Sequence, residues 1–125
     1  MKTELLAKAK ENITVAEWSY ESGHYNASAN RAYYAAFQAA VAALVNADII
    51  KNHRISHSAV QSLFVTELTR RRKIYPSHLK SYLPDLQDIR DDADYKLQSV
   101  SKKKALLQLK KAREFVELIT QEVQK

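Results

Sequence analysis

The chain has 125 residues, 46% of them apolar, with one glycine, two prolines, no cysteine and a net charge of +6. That length suits one domain around one core, and so few glycines and prolines speak against the many turns of a β-sheet domain. The lack of cysteine removes disulfides, thiol catalysis and thiolate metal sites and fits a reducing cytoplasm, no apolar run approaches the ~18 residues needed to span a bilayer, and the positive charge favours anionic partners such as nucleic acid or a nucleotide.

The first predicted helix covers about Lys2 to Glu21. Leu5, Leu6, Ala9, Ile13, Ala16 and Tyr20 recur by threes and fours and so share a face. The pattern begins directly at the N-terminus, so no signal peptide is expected. Gly23 follows as a left-handed cap that lets the chain reverse. The second helix, about Tyr25 to Val45, carries Ala32, Tyr33, Ala36, Phe37, Ala40, Val41 and Leu44 in a wide stripe, with Ala35, Ala39 and Ala43 beside it. A helix so apolar nearly all round is expected to be central.

A loop through Asn46, Asp48, Asn52 and His53 leads to a third helix, about Ser56 to Arg72, with Ala59, Val60, Leu63, Phe64 and Leu68 facing inward. Its end, Arg70-Arg71-Arg72-Lys73, sets cations against the negative end of the helix dipole. Pro76 and Pro84 frame a short turn near Ser77 to Tyr82 and the start of a fourth helix, about Leu83 to Tyr95, which packs Leu86 and Ile89 inward. Ser101 caps a fifth helix that buries Ala105, Leu109, Ala112, Val116, Ile119 and Val123. The expected fold is therefore all-α, an antiparallel up-and-down bundle of four to five helices.

Four sets of residues could carry chemistry. Arg31 lies among Tyr33, Tyr34 and Phe37 on the most apolar helix, and a buried arginine needs acceptors. Either a carboxylate of another helix pairs with it, or an anionic ligand does. Arg90-Asp91-Asp92-Ala93-Asp94-Tyr95 places Arg90 with Asp94, and Asp91 with Tyr95, four apart on shared faces. This segment reads as a network that accepts Arg31 or as a cleft facing a phosphate; adjacent aspartates on a helix diverge too far to cage a hard metal, so no metal is expected. His53 and His57 have a zinc-compatible spacing without a third ligand nearby, and the four histidines read as surface or capping groups. Arg70 to Lys73 and Lys102 to Lys104 with Lys110 and Lys111 form solvated faces or a track for a phosphate backbone.

The stretch Ser28-Ala29-Asn30-Arg31-Ala32-Tyr33-Tyr34-Ala35-Ala36-Phe37 resembles the second helix of HEPN domains (higher eukaryotes and prokaryotes nucleotide-binding). His57-Ser58-Ala59-Val60, Leu63-Phe64, Arg90 to Tyr95 and Phe115-Val116 look like a small prokaryotic branch of that family, the UPF0332 type. The resemblance implies a homodimer whose two copies face one cleft, often paired with a minimal nucleotidyltransferase as in toxin–antitoxin systems, and no cofactor. Several members act as metal-independent RNases through an arginine followed, four to six residues later, by a histidine. Arg90 matches the arginine, but Tyr95 stands where the histidine belongs, and a phenol with an ordinary pKa near ~10 is a poor base at neutral pH. In some members a tyrosine near this motif receives AMP from the partner enzyme. The expectation is therefore a nucleotide- or RNA-associated binding module using Arg31, Tyr34, Arg90, Asp91, Asp94 and Tyr95. A metal-independent RNase using Arg90 with Tyr95, or with a histidine from across the dimer, is the alternative, and a purely structural subunit is the third reading.

Overall fold

The computed structural model describes residues 1–125, all helices and connections: α1 (Lys2–Glu21), α2 (Tyr25–Asn46), α3 (His57–Leu63), a π-helical continuation (Phe64–Arg71), a 3-10 turn (Ser77–Ser81), α4 (Tyr82–Tyr95) and α5 (Lys102–Val123). The first helix ends as its glycine dictates. Gly23 takes φ +79, its N–H donates to Tyr20, and the His24 N–H reaches back to Ser19. This Schellman closure satisfies the last carbonyls of α1 and turns the chain. The end of α2 repeats it with Asp48 at φ 59 and N–H donations from Asp48 to Val45 and from Ile49 to Leu44. Ser56 and Ser101 cap α3 and α5, each accepting an N–H three residues on at 3.2 Å.

Cross-helix contacts give the directions. Lys2 at the start of α1 donates to Asn46 at the end of α2, so these helices are antiparallel. Tyr34 meets Arg90 and Asn30 meets Asp94, so α2 and α4 are antiparallel as well. Lys111 meets Asp85, and Tyr82 donates to Glu114, which sets α4 against α5. The bundle is the all-helical architecture expected from the sequence, and no helix is long and apolar enough to cross a membrane.

α2 packs against α1, α3, α4 and α5. Between Ala32 and Leu44 only Tyr34, Phe37 and Gln38 are not buried. Its apolar surface is thus covered within one chain, which removes spare surface on this helix as an argument for a dimer. The buried Ser28 donates to the Ala16 carbonyl at 2.8 Å, so even the polar member of the helix's first turns is satisfied against α1.

The third helix departs from its expected form. After Leu63 it widens to π geometry: the Arg72 N–H donates to Glu67, five residues back, and the Thr69 hydroxyl takes the Phe64 carbonyl at 3.2 Å. The extra residue per turn carries Thr69 inward beside Phe64 and Leu68, where an α-helical pattern would not put it. The stretch closes on Lys73 in the left-handed region, φ 53.

Candidate functional site

The site lies where α2 faces α4. Asn30 and Tyr34 are one turn apart on α2, and Arg90 and Asp94 are one turn apart on α4, so the antiparallel pair makes two rungs. On the first, the Asn30 amide donates to both Asp94 oxygens, at 3.2 and 3.3 Å. On the second, Arg90 Nη2 donates to the Tyr34 hydroxyl at 2.9 Å.

Arg90 is the anchor. Its side chain is only 18% exposed, its Nη1 donates to Asp91 at 3.2 Å, and its Nε lies 2.9 Å from Asp94 Oδ2. The Nε–H is not aligned on that oxygen, and the buried Nε has no hydrogen bond, so the Asp94 contact is an ion pair. The guanidinium carbon also stands 5.3 Å from the centre of the Tyr34 ring and 5.9 Å from that of Tyr33, within cation–π range. Burial works against its charge, but Tyr34, Asp94, Tyr95 and Asp91 outweigh burial and raise its pKa.

Arg31 is not where the sequence led us to expect. It is half-buried and pairs with no carboxylate of the Asp91–Asp94 segment. Its Nε and Nη2 donate to the Asn30 side-chain oxygen, its Nη1 to Asn12 at 3.3 Å, and its guanidinium lies 5.1 Å from the Tyr34 ring centre. Amide oxygens of its own helix and of α1 supply the acceptors, because Arg31 points toward α1 while Asn30 takes the direction of α4. Asn30 therefore relays between Arg31 and Asp94. Two guanidinium groups share one tyrosine ring, yet only Arg90 has carboxylates.

His57 belongs to this cluster, which the reading of the histidines as surface or capping groups misses. It opens α3, stacks on Phe37 with centres 4.1 Å apart, and places Nδ1 2.6 Å from the Tyr33 hydroxyl. Tyr33 is fully buried, and its pKa is pushed up to about 12 mainly by burial, with a nearby Gln61 amide partly offsetting it. Burial and the charge of Arg90 push the His57 pKa down. The buried phenol needs an acceptor, and His57 Nδ1 is the one in reach, so we assign the neutral imidazole with its proton on Nε2. Three aromatic residues in the middle of α2 were the available signal, since they need an edge partner from a neighbouring element. His53 lies apart, lining a surface cavity with Met1, Glu4, Leu5 and Lys8, so the spaced histidine pair does not converge.

The structure brings together Tyr34, Arg90, Asp91 and Asp94 and joins Arg31 to them through Asn30. Tyr95, at the end of α4, is 77% exposed and stands outside this hydrogen-bonded group.

Two outcomes follow from the geometry. Arg90→Met should cost about 1–3 kcal/mol, because it strands the Tyr34 hydroxyl and two carboxylates, whereas Arg31→Met should cost less than about 1.5 kcal/mol, because it strands only amide oxygens. Paired chemical denaturation curves check the order; equal losses would show that burial alone, not the ion pairs, sets the cost. For His57 the depressed native pKa means that the unfolded chain binds its proton first. Its contribution is whole above pH 6.5 and is lost as the pH falls below that value through the native pKa. His57→Asn keeps an acceptor for Tyr33 and should flatten the stability slope just below pH 6.5. Glu114, held below the usual carboxylate range by hydrogen bonds from Tyr82 and His78, contributes its own loss only below 4.5, outside that window.

No curated protein matches the chain. The family model for the HEPN domain matches residues 3–123, nearly the entire length, including α2 with Arg31 and Tyr34 and α4 with Arg90. The chain belongs to the HEPN domain family.

Proposed function

We propose that the chain is a phosphate-contacting binding module of the small prokaryotic UPF0332 type, acting on a nucleotide or RNA in the cytoplasm. Membership of the HEPN family supports a nucleotide- or RNA-associated module in general. In this reading the module is a homodimer and works with a minimal nucleotidyltransferase in a toxin–antitoxin-like pair.

The observation that carries the binding role is the state of Arg31. A guanidinium has five N–H groups, and three are taken by Asn30 and Asn12. Two remain, on a cation that is pre-oriented by amide oxygens and an aromatic ring and has no carboxylate beside it. Such a group gives a phosphate a charge-assisted hydrogen bond with little ordering cost. Arg90 is already committed to Asp91, Asp94 and Tyr34, so its part is to hold the Tyr34 ring and the α2–α4 seam.

The second reading, a metal-independent RNase, has one observation in its favour: His57 and Arg90 both lie against Tyr33 and Tyr34. The imidazole is poorly placed as a base, however. Its lone pair on Nδ1 is taken by the Tyr33 hydroxyl, and Nε2 carries the proton.

A single-stranded RNA oligonucleotide, followed by fluorescence anisotropy at rising salt, tests the proposal. Binding should weaken with salt, and Arg31→Gln should weaken it about tenfold. The same RNA incubated in EDTA should stay uncut. Cleavage that disappears in both Arg90→Ala and Tyr95→Phe, or in His57→Asn, would establish the RNase reading instead, and RNA affinity indifferent to Arg31 would remove the binding site. Sedimentation at micromolar concentration should give twice the monomer mass; the monomer mass would refute the homodimer.

A further inference from the structure

The run Arg70-Arg71-Arg72-Lys73 puts four cations in a row, and the backbone sends them to different places. Arg71 pairs with Glu67 at 2.8 Å. Arg72 donates to the Ala47 carbonyl at 3.1 Å and so caps the end of α2. Arg70 and Lys73 make no ion pair. They line a surface cavity of about 450 Å³, together with Lys80 from the 3-10 turn and the side of Tyr75, Thr69 and Ser77. No acidic residue lines it.

All three cations are exposed and border one cavity without a counter-charge, so their fields add at its mouth. Lys73, which is not glycine, stands beside it in the left-handed region at φ 53, a conformation that L side chains rarely adopt. Arg70 in the last turn of the π-helical stretch and the left-handed Lys73 just past it both line this one cavity.

We propose that this cavity is a second anion site that takes a phosphate group, with Arg70, Lys73 and Lys80 as its charges and the Ser77 hydroxyl as an added donor. The phosphate can belong to an RNA backbone or to a free polyphosphate; the recognising chemistry is the same. The site is independent of the Arg31 cluster. Arg72, beside it, touches Ala47, just past the end of α2 and thirteen residues beyond Tyr34, which is about 20 Å along the helix direction.

The test is a titration of the full chain with inorganic pyrophosphate, followed by backbone amide NMR. Shifts should concentrate at Thr69, Lys73 and Ser77. Arg70→Gln and Lys80→Gln should each weaken binding about tenfold, whereas Arg71→Gln, which removes the same charge from the same helix end, should weaken it no more than about twofold. All three residues are exposed, so these variants should fold. Equal weakening by Arg71→Gln, shifts spread as strongly over Lys102 to Lys104, or no shift at all would overturn the site. A parallel titration with single-stranded RNA separates the sources: RNA shifts at the same amides that pyrophosphate competes away identify the backbone, and pyrophosphate shifts without RNA shifts identify a free anion. Arg31→Gln should leave the shifts at Thr69, Lys73 and Ser77 unchanged and remove only those around Arg31, so loss of this site and loss of the Arg31 reading are separate results.

Discussion

The structure depends on burying α2 on nearly every side. Ala32, Ala35, Ala36, Ala39, Ala40, Ala42 and Ala43 are wholly or almost wholly buried, and their small side chains let α1, α3, α4 and α5 approach one backbone. Close approach of this kind leaves little room for adjustment, since interiors pack at crystal-like density and added methylenes force neighbouring side chains off their rotamers. It also forces every polar group on α2 to find its partner from whichever helix it happens to face. Ser28 finds α1, Asn30 finds α4, Gln38 finds Asn12 on α1, and Tyr33 finds α3. The polar cluster is thus a consequence of the packing: the residues that interrupt the alanine surface define where chemistry can occur.

The division of labour between the two arginines follows from the same geometry. α4 brings carboxylates only to the residues that face it, so Arg90 is neutralised within its own helix by Asp91 and Asp94. Arg31 faces α1, whose nearest polar group is Asn12, an amide. An amide oxygen satisfies a hydrogen bond but does not cancel a charge. The cluster therefore holds one compensated and one uncompensated guanidinium on either side of the Asn30 relay, and only the latter keeps its electrostatic attraction for an incoming anion.

Much of this was legible in the sequence. The limits of α1, α2, α4 and α5 follow from apolar periodicity with Gly23, Ser101 and the two prolines as punctuation, because those signals act over a few residues. The segment Arg90 to Asp94 was visible as a cluster for the same reason. What failed was partner choice between elements. A carboxylate of the Asp91–Asp94 segment is one partner the sequence offers Arg31, but the rotation of α2 gives that contact to its neighbour Asn30. His57 reads as a surface or capping group because its environment, Tyr33 and Phe37, is contributed by a helix twenty or more positions earlier. The π geometry was also unreadable: the pattern Val60, Phe64, Leu68 satisfies an ordinary helix, and only the burial of Thr69 distinguishes the wider turn.

The Tyr33–His57 pair shows why such a contact matters beyond packing. A fully buried phenol keeps its proton far above neutral pH, so it donates permanently to Nδ1. An imidazole that accepts there, stacks on Phe37 and stands in the field of Arg90 resists taking a second proton. Each group fixes the protonation state of the other; burial holds the proton on Tyr33 against the pull of Arg90, and burial together with the Arg90 charge keeps His57 neutral. Protonating His57 would turn Nδ1 into a donor aimed at a hydroxyl whose own proton then has no acceptor, beside a guanidinium of like charge. The first turn of α3 is thereby tied to the state of the α2–α4 seam, although α3 touches neither Arg31 nor Asp94. A residue that sequence reasoning placed on the surface is the link through which the charge of Arg90 reaches the third helix.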